Sequence, residues 1–499
     1  MNNFIMENKK LFSKIYKVAK LQKVDVYVVG GFVRDNLLGI KEKKDIDFVV
    51  ACSQSLEDSS REKVGLKFAK ALDKELKEVG SLIEFPDFDT ARYVFTEEDE
   101  NGNKIKKLEI EFAGARTEKY ERNSRKPIVT ATSLAEDLKR RDFTVNAMAQ
   151  KIGSLGNLGK IIDPFNGQED LKNKILCTPL DPNETFSEDP LRMIRAARFA
   201  AQLGFSIEAN TYEALKKNYS RLKIVSAERI KEELFKLLKT EQPSIGLRIL
   251  YETGLSSMFL PEMDALNEVE EIYGQHHKNN LEHTFKVVDN VAKKTNNTLL
   301  RFAALLHDIG KPGTKQFVSG RGWTFDMHEH LGRKIVRIIS KRLHFSKEES
   351  DYVAKLVRWH QQPINLMDEG VTDSAVRRLI VNLGDDLKDL LILCRSDITT
   401  GNPAKLEKRL KNYDYLEKRI EEVREKDKLR AFQSPLRGEE IMKLAGLKPG
   451  PTVGKIKKAI EEAILEGIIP NEYEASKKYF EKIKNNYLEQ MEDWECLTS

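Results

Sequence analysis

The sequence is poor in cysteine. Its four, Cys52, Cys177, Cys394 and Cys496, are widely spaced with no C-x-x-C among them, which excludes a disulfide framework and a zinc knuckle. No apolar run approaches membrane-spanning length, and lysines interrupt the N-terminal stretch MNNFIMENKKLFSKIYKVAK. An uninterrupted signal core is therefore missing, and a cytoplasmic location with no membrane partner is expected. Strong charge of one sign is also lacking. A net charge of +5 over 499 residues permits a basic groove for nucleic acid without requiring one. Internal repeats and low-complexity tracts are absent too. What is present, 40% hydrophobic and 33% charged residues, describes a charge-rich globular chain, long enough for about three or four domains.

Residues 1 to about 150 mix strand and helix patterns. TARYVFTEEDENGNKIKKLEIEFAGAR reads as two alternating runs joined by a polar turn at Asn101-Gly102, a β-hairpin. Beyond Pro182 helical spacing dominates, in PLRMIRAARFAAQLG, SAERIKEELFKLLKT, NTLLRFAALLHDIG and KLEKRLKNYDYLEKRIEEVREK. The last places Leu406, Leu410, Tyr413, Ile420 and Val423 at helical intervals.

The richest stretch is YVVGGFVRDNLLGIKEKKDIDFVV, Tyr27 to Val50. It reads as strand, Gly-Gly turn, short helix, strand. Residues i and i+2 of a strand share a face, so Asp45 and Asp47 project together while Ile46 faces the core. Two carboxylates side by side repel, and a hard cation such as Mg²⁺ relieves that repulsion. Gly30 and Gly31 allow backbone N–H groups close to an anion, and Arg34 lies one turn into the helix, within reach of a phosphate. A D-x-D alone is commonly a solvated strand end and Gly-Gly a plain turn; their order within one unit points to triphosphate plus metal.

Further along come DLKRRDFTVNAMA (Asp137 to Ala149), IIDPFNGQEDL and FSEDPLRMIRAARFA. With GGFVRD and DID, in this order and spacing, they resemble the CCA-adding enzymes and related bacterial poly(A) polymerases, over about the first 240 residues. The motifs HTF, HDIGK, HEH and a later Asp resemble an HD-type phosphohydrolase domain. The resemblance implies an α/β head of the DNA polymerase beta-like nucleotidyltransferase kind (residues 1–180), then an all-α neck (181–266), an HD-type helical domain (267–400) and a helical tail (401–499).

It also implies that Asp45 and Asp47 hold Mg²⁺, with Glu111 as a third carboxylate, although Glu109 shares its strand face. Gly30, Gly31 and Arg34 would take the triphosphate of CTP or ATP, with Arg141 against the nucleotide and Asp142 and Asn146 bracing the site. A local ion pair between Arg140 and Asp142 is the alternative. Asp189 and Arg192, three apart at a helix start, would read the base edge in place of a template. Helix capping by Glu188 and Asp189 competes with that reading. Arg195 would support the triphosphate or the template pair, and Arg198 would contact phosphate.

In the HD part, His283, His307, Asp308 and Asp397 match the ligand order of a metal site, suited to a divalent transition metal or Mg²⁺. Lys311, His328 and His360 would face the substrate. In the tail, Lys455, Lys457 and Lys458 suit an RNA phosphate or a solvated helix face. The implied activity is template-independent addition of C and A to the tRNA 3′ end. The alternatives are poly(A) synthesis, A-only or CC-only addition, or an HD phosphohydrolase whose head only binds RNA.

Overall fold

The computed structural model describes residues 2–40, 45–52, 63–76, 80–98, 104–119, 128–267, 271–272, 275–276, 279–368, 370–427 and 434–489. The chain divides into two compact units, residues 1–264 and 265–499.

The first unit begins with a helix, α1 (Asn2–Gln22), and a strand, β1 (Val24–Val29). Gly30 turns the chain into α2 (Gly31–Leu37), and β2 (Asp45–Cys52) runs back antiparallel beside β1. After α3 (Val64–Leu76) come β3 (Ser81–Phe85), β4 (Thr90–Glu98) and β5 (Lys104–Gly114). The alternating runs do form the antiparallel pair β4–β5, while the turn expected at Asn101-Gly102 lies outside the described residues. A two-stranded ribbon, β6 (Arg116–Lys119) with β7 (Ile128–Ala131), and α4 (Leu134–Lys139) precede β8 (Ala149–Ile152) and β9 (Leu158–Ile162). The main sheet has seven strands in the order β3-β4-β5-β2-β1-β8-β9, with β2 and β5 parallel.

Alternation along β2 decides what it displays. Ile46, Phe48 and Val50 enter a core with Phe12 and Ile15 of α1, Phe68 and Leu72 of α3, and Phe112 of β5. Val49 and Ala51 face the other way, packed with Leu138 of α4 and Ala149 of β8. Asp45 and Asp47 share that second face but stand ahead of its apolar packing, and they stay exposed. Each buried core side chain contributes about 1.5–3 kcal/mol by leaving water. A one-residue slip would turn the aspartates into the core and drive Ile46, Phe48 and Val50 out of it, so the core holds the register.

Helices follow: α5 (Gly167–Asn173), α6 (Pro182–Glu188), α7 (Leu191–Leu203), α8 (Ala209–Asn218), α9 (Ala227–Leu238), α10 (Pro243–Glu252) and α11 (Pro261–Asp264). Asp181 caps α6 by accepting from Asn183 and Glu184 N–H, and Asp189-Pro190 separates α6 from α7.

The second unit carries α12 (Asn280–Ala292), α13 (Thr298–Leu306), α14 (Lys311–Thr314), α15 (His328–Arg342), α16 (Lys347–Trp359), α17 (Asp373–Leu383) and α18 (Leu387–Ser396). Beyond them α19 (Pro403–Asp427) buries Tyr413, Leu416, Ile420 and Val423. The last three helices, α20 (Gly438–Ala445), α21 (Pro451–Leu465) and α22 (Tyr473–Leu488), share a small core around Ile441, Ile456, Ile460 and Phe480. Among the described residues no helix is long and apolar enough to cross a membrane. Cys52, Cys177 and Cys394 form no disulfide among the described residues, and Cys496 lies outside them.

Candidate active site and metal centre

The parallel pairing of β2 with β5 sets Asp45 beside Glu109 and Asp47 beside Glu111. Four carboxylates thus share one end of the sheet, and Arg92 of β4 bridges the two glutamates at 3.0 and 3.3 Å. Asp47 keeps solvent contact, yet protein atoms surround its carboxyl closely. That desolvation, reinforced by Glu111 and Asp45, pushes it up to about 6 against the pull of Arg141 and Arg195. Glu111 is the strand partner of Asp47, and its charge adds to that rise. Gly30, at φ +66°, stands over this face; a Cβ there would lie 2.9 Å from Arg141 Nη1 and 4.0 Å from Asp47 Oδ2.

A chain of guanidinium and carboxylate groups continues from there. Buried Arg34 donates to Asn146 Oδ1 at 2.7 Å, and Asn146 donates to Asp142 Oδ1 at 3.0 Å. Arg195 of α7 grips Asp142 Oδ2 with two bonds, 2.8 and 2.6 Å. Burial alone would raise the Asp142 carboxyl, but Arg195 and the Asn146 amide hold it down at about 2. Glu233 of α9 accepts from Arg198 at 2.6 Å and from Arg195 at 3.4 Å. Phe199 lies among the guanidinium groups of Arg34, Arg195 and Arg198, its ring centre 5.1, 5.3 and 3.8 Å away.

Asp189 and Arg192 stand next to this network. Asp189 lies in extended backbone between α6 and α7, and its Oδ1 accepts from Leu191 N–H while its Oδ2 accepts from Arg229 at 3.0 Å. Arg192 donates to the carbonyls of Thr185 and Arg140 and pairs with Glu188 at 3.4 Å.

In the second unit the turn after α13 presents His307 and Asp308, both buried. His283 Nε2 and His307 Nε2 lie 2.8 and 3.5 Å from Asp397 Oδ1. Lys311 Nζ contacts Asp308 Oδ2 at 2.6 Å. Burial opposes a charge on His307, but Asp308 and Asp397 outweigh it and push its pKa up to about 10. Burial lowers His283 and His360, favouring the neutral imidazoles a metal needs. Nitrogen and oxygen donors converging in a water-poor site are the donor set of a divalent metal, and buried His307 Nε2 finds no hydrogen-bond partner otherwise.

A family model described as the poly A polymerase head domain matches residues 26–177. A probable RNA- and SrmB-binding site of polymerase A matches 204–266, and an HD domain 280–390. The chain is 36% identical over 351 residues to the CC-adding tRNA nucleotidyltransferase of Thermus thermophilus, covering 68% of this chain and 76% of that one. It belongs to the tRNA nucleotidyltransferases. Other members are the A-adding enzyme of Deinococcus radiodurans (32% identity, 69% and 78% coverage) and the multifunctional CCA protein of Aliivibrio salmonicida (32%, 75% and 85%). The Bacillus stearothermophilus CCA-adding enzyme in complex with CTP has the same fold, with a TM-score of 0.64 at 22% identity, covering 98% of this chain and all of that one. The chain is thus a nucleotidyltransferase carrying an HD domain, and both kinds of domain are metal-dependent.

Read as a tRNA nucleotidyltransferase, the chain differs from its sequence-based reading at several residues. The Arg140–Asp142 ion pair does not form. Arg140 and Arg141 both reach back over the last turn of α4 to Asp137, at 2.9 and 3.3 Å, while Asp142 has left the helix and meets Arg195. Asp189 and Arg192 do not share one helix: Asp189 precedes it, and their side chains turn to separate partners. Arg198, expected at a phosphate, is buried on Glu233 and Gln202. His328 and His360, expected to face substrate, are buried against Asp308. In the tail Lys457 and Lys458 approach Glu461 and Glu462 on their own helix. Arg92, Asp137, Arg229 and Glu233 were not singled out in the sequence. Charge at helical spacing in SAERIKEELFKLL carried the last two, but nothing local marked their partners.

Proposed function

We propose that this chain adds C and A to the 3′ end of tRNA in the cytoplasm, taking CTP and ATP. One run of contacts carries the reading: Gly30 stands over Asp47 beside Arg141, and hydrogen bonds link Arg34, Asn146, Asp142 and Arg195 into α7, the helix that begins just after Asp189. Asp45, Asp47 and Glu111 are the residues to hold Mg²⁺, which when bound neutralises charge on the transferring phosphate and activates the attacking hydroxyl. Gly30, Gly31, Arg34 and Arg141 orient the triphosphate. Asn146 and Asp142 hold Arg34 and Arg195 in place. Asp189 accepts from the exocyclic amine that cytosine and adenine share, and Arg192 donates to their ring nitrogen; uracil and guanine present the opposite order. Carboxylate oxygens have lone pairs beyond those given to Leu191 and Arg229.

His283, His307, Asp308 and Asp397 would hold a divalent metal, which when bound would polarise a phosphoester, with Lys311 beside it for the phosphate. A CC-only product is the second reading, favoured by the 36% identity to a CC-adding enzyme. Incubation with tRNA ending before the first, second or third of the terminal nucleotides, with each labelled NTP, tests this. Full CCA synthesis extends all three, a CC-adding enzyme stops before A, and poly(A) synthesis runs past it. Activity retained in Asp47→Asn would remove the carboxylate face from the reaction.

A further inference from the structure

We propose that Asp137 is a positioning residue for nucleotide addition: from its buried place in α4 it holds one arm of the Arg141 guanidinium, so that the other stands over Gly30 where the triphosphate binds. It rests on reading Arg141 as a triphosphate residue. Asp137 and Arg141 are four residues apart around the last turn of α4, the spacing at which side chains meet. Arg141 Nη2 donates to Asp137 Oδ2 at 3.3 Å, and Arg141 Nη1 is the atom that a Cβ on Gly30 would approach to 2.9 Å. That same Cβ position lies 4.0 Å from Asp47 Oδ2. One guanidinium therefore spans from a buried anion to the turn beside the carboxylate face.

Asp137 neither caps its helix nor meets solvent. Ser133 is the N-cap of α4, accepting from the Glu136 N–H, and the Asp137 side chain is only 1% exposed. Its neighbour Leu138 packs with Val49 and Ala51, which ties α4 to the strand that carries Asp47. The two oxygens of Asp137 are divided. Oδ1 accepts from Arg140 Nη2 at 2.9 Å and from the Arg116 N–H at 3.5 Å, while Oδ2 goes to Arg141. Burial raises the Asp137 pKa, but Arg141 and Arg140 outweigh it and hold the carboxyl below its ordinary range, so it is ionised at neutral pH.

One carboxylate against two guanidinium groups leaves positive charge over, which suits a triphosphate. The competing pull on Arg141 comes from Asp47, whose carboxylate already feels it. A guanidinium released from Asp137 would swing toward that anion and meet Asp47 in place of a phosphate. The buried carboxylate holds the arm between the two.

The test is the steady-state kinetics of tRNA extension by the full chain, with pyrophosphate, CMP and AMP as inhibitors. Asp137→Asn keeps the shape of the side chain and removes its charge. It should raise KM for CTP and ATP roughly tenfold and weaken inhibition by pyrophosphate to match, while kcat and the inhibition constants of CMP and AMP stay within about twofold. Discrimination against UTP and GTP should hold too, because Arg192 is anchored there by the Arg140 carbonyl, a backbone atom. In an Arg141→Gln background Asp137→Asn should add less than about twofold, since the group it positions is gone. Additive effects, an unchanged KM in Asp137→Asn, or equal losses for monophosphates and triphosphates would overturn the positioning role and leave a structural ion pair. If Arg141→Gln itself leaves KM unchanged, Arg141 is not a triphosphate residue and Asp137 positions nothing there. Should Asp137→Asn fail to fold, Asp137→Glu keeps the buried charge and displaces it by one methylene; a raised KM for the triphosphates alone is expected, and an unchanged one would overturn the inference.

Discussion

Asp189 divides its carboxylate between the Leu191 N–H, which fixes its orientation, and Arg229, which balances its charge. Capping and base reading are therefore compatible roles for one side chain, and their energetic traces differ. A hydrogen bond to a charged group contributes about 1.5–3 kcal/mol, so Asp189→Ala or Arg192→Ala should cut discrimination of CTP and ATP against UTP and GTP by roughly ten- to a hundredfold. Arg229→Ala removes only the group that steadies Asp189, so a smaller loss is expected there, partly restored by Arg229→Lys. Values of kcat/KM for all four nucleotides, with melting temperatures, check this. A lowered melting temperature with selectivity intact would leave Asp189 as a cap alone.

The helix α7 shows why three arginines at three-residue spacing do different work. A step of three residues falls short of a full turn, so successive side chains rotate around the axis. Arg192 reaches the end of α4, Arg195 reaches Asp142, and Arg198 turns into the interface with α9. Glu233 is the buried anion that makes the last turn tolerable, since Arg198 is itself buried. Removing one member of a buried pair leaves the other uncompensated, so Glu233→Ala should destabilise the first unit by about 3–5 kcal/mol. Chemical denaturation followed on the transition of that unit measures it; a loss below about 1 kcal/mol would mean that Gln202 and the Phe199 ring suffice for Arg198.

At the scale of the whole molecule, each candidate site draws its residues from one unit: Asp45, Asp47 and the arginine network from residues 1–264, the histidine cluster from 265–499. His307→Ala should therefore abolish the phosphoesterase activity proposed for the HD domain while nucleotide addition stays within about twofold of the parent. Assays of tRNA extension and of phosphoester hydrolysis on the same preparation check this. Loss of both activities in a folded variant would show that the units do not act separately.

What the sequence determined by itself was local. The two-residue period of DIDFVV set Asp45 and Asp47 on one face, and the apolar spacing beyond Pro182 set the helices, because both follow from backbone geometry over a few residues. The order of the motifs carried the family. Partner choice was decided only by the tertiary structure. Asp142 pairs with Arg195, 53 positions away, and not with its near neighbour Arg140. His328 at the start of α15 and His360 just past the end of α16 converge on Asp308 from 20 and 52 positions away. A charged side chain has many possible partners in a sequence with 33% charged residues. Which one it meets depends on how sheet and helices pack, and that packing is fixed by apolar burial spread over the whole unit, not by the charges themselves.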